Sequence, residues 1–275
     1  MRSFTSIKAA LLGGSFCAAL CALPASGLAQ ISSINSANID ARVWNDVPSA
    51  TLTTVNNYPS TVSFTEANVS GSGYANRDIW YFSNNGGASA YQFQAGDYFH
   101  ASFNLTLTGG TTPAYDLEAG WLFSNPTGNF GGDCQSIVKN DGEVVQFGGP
   151  SYFGFSPANG GTSVPNYVMG QTYAMGFNYV YDPYTTENAF EYSVNGVYAT
   201  SAPGDPYFDL GTGSVGHAGD QLGGYFQIQQ NPTDPSYTAE AVFSNISIVP
   251  EPASLSLLAI GGVALLARRR AKSLV

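Results

Sequence analysis

The chain has 275 residues, a formal charge of −10 and only 10% charged residues. All nineteen Asp and Glu lie between Asp40 and Glu251, where Arg42, Arg77 and Lys139 are the only Lys or Arg. So acidic a body excludes binding to nucleic acid, or to an acidic polysaccharide, through charge, because it has almost no cations with which to release counterions.

At the N-terminus, Arg2 and Lys8 flank the start of an apolar run over residues 9–23, and Gly27-Leu28-Ala29 supplies small residues before Gln30. A basic n-region, an apolar h-region and small residues at −3 and −1 predict a signal peptide over 1–29, cleaved between Ala29 and Gln30 and delivered to the secretion translocon. Cys17 and Cys21 follow Phe16 and Leu20, large residues where lipid attachment wants a small one. Only Cys134 then remains, so the exported body has no internal disulfide and depends on its core. With 17 Tyr, 17 Phe and 44% hydrophobic residues, the supply is ample.

Period-two alternation marks the strands of the body. Residues 51–56, 61–68, 79–83 and 91–94 come first. In 97–108, Phe99, Ala101, Phe103, Leu105 and Leu107 alternate with His100, Ser102, Asn104, Thr106 and Thr108. Tyr115, Leu117, Ala119, Trp121 and Phe123 repeat the pattern, as do Tyr173, Met175, Phe177, Tyr179 and Tyr181. Asn140-Asp141-Gly142 predicts a hairpin between 136–139 and 143–147. Asn195-Gly196 predicts another between 190–194 and 197–200, since Asn-Gly takes the positive φ that a two-residue turn needs. Strands over 224–229 and 237–249 complete the set. In the last, buried-type residues move from Tyr237, Ala239, Ala241 and Phe243 to Ile246 and Ile248, which predicts a bulge at Ser244-Asn245. A dozen strands in one sheet would curl or split, so the fold class is all-β, a two-sheet antiparallel β-sandwich over 30–248.

Signals for chemistry are thin. His100 lies on a polar strand face and His217 in the glycine-rich stretch 211–224, with no Gly-x-Ser-x-Gly or His-Glu-x-x-His motif nearby. Asp116 and Glu118, two apart on a strand, leave one face about 6.6 Å apart along the backbone. Sandwich glycosidases can present an acid and its partner carboxylate in this way. The next position on that face is Gly120, however, and the pair reads as part of a solvated acidic face. Tyr225, Gln227 and Gln229 share a face opposite Phe226 and Ile228, forming a candidate sugar-binding surface or a plain sheet exterior. No cofactor is required by any motif. Calcium is the one ion the loop carboxylates could hold, with Asp205 and Asp209 as candidates, although no Asp-x-Asp-x-Asp-Gly loop organises them.

The C-terminus reads as an address. Val249-Pro250-Glu251-Pro252 precedes an apolar run ending at Ala267, then Arg268-Arg269-Arg270 and Lys272. Its prolines favour an exposed, extended backbone. A membrane-spanning helix over 254–267 is expected, with the basic cluster 268–272 held on the cytoplasmic side and the body outside. These parts together resemble the PEP-CTERM sorting signal, here a tail over 249–275 with its motif at 250–252. The resemblance implies recognition by an exosortase-type transpeptidase, transient anchoring in the inner membrane, and final delivery to the cell surface or extracellular matrix. The segments around 190–197, 224–228 and 241–246 resemble the later strands of concanavalin-like, laminin-G-like jelly rolls. The combined expectation is a sandwich flanked by a signal helix and a C-terminal transmembrane helix, with a non-catalytic body open to binding extracellular polysaccharide. The rival expectation is a polysaccharide-active glycoside hydrolase using Asp116 and Glu118.

Overall fold

Alternating apolar and polar residues give each strand one face to bury, and the strands satisfy their backbone groups in antiparallel ladders. The computed structural model describes residues 31–69, 73–94, 97–109, 116–124, 134–147, 152–182, 185, 187–200, 207–209, 220–229, 234 and 236–251. The expected cleavage point at Ala29 and Gln30 lies outside them, as do Asp205, His217, Pro252, the helix over 254–267 and Arg268, Arg269 and Arg270.

In chain order the strands are β1 (Ser36–Asn45), β2 (Thr51–Asn57), β3 (Thr61–Ala67), β4 (Ala75–Ser83), β5 (Phe99–Thr108), β6 (Leu117–Ser124), β7 (Cys134–Lys139) and β8 (Val144–Phe147). They continue with β9 (Phe153–Gly154), β10 (Thr172–Asp182), β11 (Glu187–Val194), β12 (Val197–Tyr198), β13 (Phe208–Asp209), β14 (Gln221–Gln229) and β15 (Thr238–Pro250). A single 3₁₀ turn, Pro157–Asn159, is described. One sheet has the order β1-β4-β14-β6-β7-β8-β9 and the other β12-β11-β10-β5-β15-β3-β2, with β13 beside β11. Two antiparallel sheets face to face make a jelly-roll sandwich.

Aromatic residues knit the sheets together. Trp121 lies 4.0 Å from Phe103, Trp80 5.8 Å from Phe243, and Phe123 5.3 Å from Phe177, measured between ring centroids. The two outer faces differ. On β5, exposure alternates strictly, and His100 and Ser102 point to water. By contrast, β4 is buried along its whole length and β6 along all but its last residue. Beyond the inter-sheet core, a second cluster of Ile79, Tyr81, Leu122, Ile137, Val145 and Tyr225 covers the outer face of the seven-stranded sheet.

Three sequence expectations change. The stretch 91–94 makes only a single bridge, Phe93 to Asp220. β1 was missed because its register breaks between Asp40 and Trp44, which scrambles its alternation. The last strand, expected over 237–249, runs from Thr238 to Pro250, past the domain end expected at 248. Its ladder shifts between Ser244 and Ser247, with Asn245 at φ 52°, at the bulge expected from the sequence.

The break in β1 has a charge at its centre. Arg42, at φ 59°, places Nε 2.8 Å from Glu66 Oε1 and donates from Nη2 to Glu66 Oε2 at 2.9 Å. Its backbone N–H donates to Asp78 Oδ1 at 2.8 Å. Glu66 and Asp78 have no exposed surface. Two carboxyls beside one guanidinium leave one negative charge too many, so the pair retains a proton. Burial, then the neighbouring Asp78, pushes Glu66 up to about 8 against the pull of Arg42. The folded state therefore holds a proton that the unfolded chain releases above about pH 4.5. This contribution to stability is complete below that pH and is lost as pH rises through about 8, so the melting temperature should fall between pH 5 and pH 8. In Glu66→Gln that slope should flatten.

Gln146 is fully buried, and neither of its amide atoms has a hydrogen-bond partner. Leu at this position would remove the desolvated donors while keeping most of the volume. Gln146→Leu is expected to raise stability by about 1–2 kcal/mol, measured by chemical denaturation.

Candidate active site

The outer face of the seven-stranded sheet brings together residues from β4, β6, β7 and β14. Tyr225, Gln227 and Gln229 share this face of β14, and the register sets Gln227 between Arg77 on β4 and Glu118 on β6. Glu118 in turn faces Lys139 on β7. The sequence-predicted ligand face and carboxylate pair are thus one surface.

Glu118 is only 8% exposed, so it is not on the solvated face expected from the sequence. Tyr225, the other central residue, is fully buried rather than part of an open exterior. The Tyr225 hydroxyl lies 3.2 Å from both Glu118 Oε1 and Gln135 Oε1. A hydroxyl has one proton to give, and Tyr225 can donate it to either oxygen, so the three side chains form one shared hydrogen-bond cluster. Burial raises the Glu118 carboxyl above its ordinary range, against Lys139, Tyr225 and Arg77, which pull it down. The Tyr225 phenol is held far above its usual range by burial, then by Glu118.

Arg77 donates from Nε to Gln227 Oε1 at 2.9 Å, and its guanidinium stacks 3.7 Å from the Trp44 ring centroid. This cation–π contact fixes its plane. Trp44 remains 40% exposed at the rim. Asp116 is the open counterpart to Glu118: Oδ1 lies 3.4 Å from Lys139 Nζ, and Oδ2 accepts from Gln229 Nε2 at 3.2 Å. Gln229 also donates to the exposed Tyr74 hydroxyl at 2.7 Å. Although burial favours its neutral form, Lys139 is kept charged by Glu143, Asp116 and Asp141. Position 120 adds no third carboxylate, because a Cβ there would meet the Ser136 carbonyl.

At the far end of the face, Asn84, Ser89, Gln92, Gln94 and Gln221 line an open hollow of about 630 Å³. Ala90 joins it to the apolar cluster. From Gln229 to Gln221 the β14 face spans about 26 Å, and both ends are rich in amides.

Sequence reasoning missed Trp44, Tyr74, Arg77, Gln135 and Lys139. Arg77 and Lys139 did carry a signal, as two of the three cations in the body. Among the described residues, no group of three or more His, Cys, Asp or Glu is placed to hold a metal ion. Of the calcium candidates, only the backbone of Asp209 is described, paired with Ala189.

None of the curated proteins matches the chain. Among solved structures, it is similar to an alginate lyase from Corynebacterium sp., with 14% identity, 78% of this chain and 93% of that chain covered, and a TM-score of 0.45. It is also similar to the alginate lyase PA1167 from Pseudomonas aeruginosa, with 11% identity, 69% and 82% covered, and a TM-score of 0.45. The polysaccharide lyase family 7 alginate lyase AlgAT5 matches at 11% identity, with 71% and 80% covered and a TM-score of 0.39. Set against the expectation of a non-catalytic body, all three of these structures are named as alginate lyases; at 11–14% identity, what they share with this chain is the fold. Residues 249–270 match the PEP-CTERM protein-sorting motif, so this jelly-roll sandwich carries a signal that implies export, exosortase recognition and sorting to the cell surface.

Proposed function

We propose that the body is a glycoside hydrolase acting on an uncharged polysaccharide at the outer face of the seven-stranded sheet. The observation that carries this is Glu118, a buried carboxyl linked to Tyr225 and Gln135 on that outer face. A proton-holding carboxyl with a small exposed edge suits the general acid, donating to the glycosidic oxygen as the bond breaks. Asp116, at the wetter end of the same face, takes the part of the partner carboxylate. Trp44 and Tyr74 offer ring faces to a sugar, and the Gln227 and Gln229 amides lie beside them.

Charge chooses the substrate class. Arg42 is engaged by Glu66, Lys139 is shared among three carboxylates, and Arg77 lies between Trp44 and Gln227. A polyuronate would meet nineteen acidic residues with no free Lys or Arg among the described residues to receive it.

The sorting motif supports the remainder of the proposal: export through the secretion translocon, brief anchoring in the inner membrane with the body outside, and exosortase-dependent delivery to the surface. Incubating the exported protein with a panel of neutral and uronate polysaccharides tests the activity. New reducing ends from a neutral polymer are expected. Unsaturated uronate products would replace hydrolysis with elimination, and no product from any polymer would overturn the enzyme reading. Trp44→Ala should raise KM about tenfold, equivalent to about 1.4 kcal/mol of binding, with little change in kcat.

A further inference from the structure

The sorting motif does not begin as a free tail, because its first two residues belong to β15 and the third is hydrogen-bonded to the residue before β5. Val249 pairs with His100 and Pro250 with Phe99, and the Glu251 N–H donates to the Tyr98 carbonyl at 2.9 Å. The Glu251 carboxylate lies 3.7 Å from His100 Nε2. His100 is held in turn from β10 and β11: its Nδ1 is 2.7 Å from Asn178 Oδ1, and Asn178 Nδ2 donates to Glu191 Oε2 at 2.9 Å.

The bulge gives Glu251 its direction. Before it, the odd-numbered Ala239, Ala241 and Phe243 are buried; after it, Ile246 is buried and Val249 is 54% exposed. Without the extra residue, Glu251 would follow the odd-numbered positions towards the core. With it, the carboxylate reaches the outer face beside His100. Pairing with β3 ends at Ser244, Asn245 and Ile246 donate to the Ser60 and Pro59 carbonyls, and from Ser247 onward the described ladder is with β5 alone. Pro250 falls between the hydrogen-bonded pairs of Val249 with His100 and Glu251 with Tyr98, where a backbone N–H would face away from β5, so the ladder accommodates its proline. The attachment is specific in register and shallow in depth.

A protein that reads an extended peptide engages the same backbone groups that a neighbouring strand uses. We propose that the C-terminal end of β15 is a latch: pairing of Val249–Glu251 with Tyr98–His100 withholds the sorting motif from its reader, and sorting proceeds through local fraying of this end. The folded body, rather than the tail alone, then sets the rate at which the chain is sorted. This stands whether or not the body is a hydrolase.

A cross-link across the latch tests it. Directly opposite residues in a hydrogen-bonded antiparallel pair lie about 5.5 Å apart at Cα, within disulfide reach. The His100→Cys/Val249→Cys chain, pulse-labelled in a host whose exosortase sorts the wild type, should reach the surface at least tenfold more slowly than either single variant. Reductant should restore it. A melting temperature at or above that of the wild type shows that the stapled body is folded. His100→Ala, which loosens the latch and leaves the motif intact, should be sorted faster than the wild type. Hydrogen exchange should find the Glu251 amide protected in the wild type and less so in His100→Ala. A stapled, folded chain sorted at the single-variant rate, or a Glu251 amide exchanging like a free peptide, overturns the proposal.

Discussion

Replacing Glu118 by Gln is expected to reduce hydrolysis of a neutral glycan by about 10²–10⁴-fold, the usual contribution of a positioned general acid. The fold should tolerate the change. Glu118 is buried and its carboxyl is raised towards the neutral form, so an amide of the same shape replaces a carboxylic acid, and its oxygen can still accept from Tyr225. Melting temperatures of the two proteins should therefore agree closely while kcat collapses. Tyr225→Phe separates positioning from chemistry. The Tyr225 hydrogen bond pulls the Glu118 carboxyl down, so its loss should move the alkaline limb of the pH–rate profile to higher pH, because the acid keeps its proton longer. A uniform loss of rate at every pH would indicate damage to packing instead.

Arg42→Ala should produce the largest loss of stability. It removes the guanidinium from two fully buried carboxyls, and breaking a buried pair from one side costs about 3–5 kcal/mol. For a domain of this size that corresponds to a fall of roughly 10 °C in melting temperature. Arg42→Lys should recover only part, since an ammonium cannot make the two-pronged contact with Glu66 and the bond to the Ala50 carbonyl together. In Arg42→Ala/Glu66→Gln much of the loss should return, because the uncompensated buried acid has gone. Chemical denaturation of the four proteins measures this directly.

What was legible in the sequence follows from which interactions are local. β5 and β15 bury one face each, as β10 does as far as Tyr179, so their alternation could be read residue by residue; at the end of β10 the phase slips, leaving Val180 buried and the expected core residue Tyr181 exposed. Asn195-Gly196 adopts the positive φ its hairpin needs. The bulge in β15 was visible as a change of phase. β1 was not, because Arg42 interrupts its pattern for the sake of Glu66 and Asp78, which lie 24 and 36 positions further along. The site was half legible. Spacing two residues apart put Asp116 beside Glu118, and Tyr225 beside Gln227 and Gln229. Neither spacing could show that β6 and β14 are neighbours, which is what merges the two sets. Burial misled in the same way: a strand covered on both faces has lost the contrast that alternation reports, so Glu118 and Tyr225 looked solvated.

The body and its tail thus meet at opposite outer faces. One sheet carries the acid cluster of Glu118, and the other carries the first residues of the sorting motif. The structure of Glu118→Gln bound to a neutral oligosaccharide tests the central claim most directly. The account predicts a glycosidic oxygen within hydrogen-bond reach of the residue 118 amide, with a sugar ring against Trp44. A glycan seated only in the hollow around Gln92 and Gln221, or on the outer face of the other sheet, would contradict it.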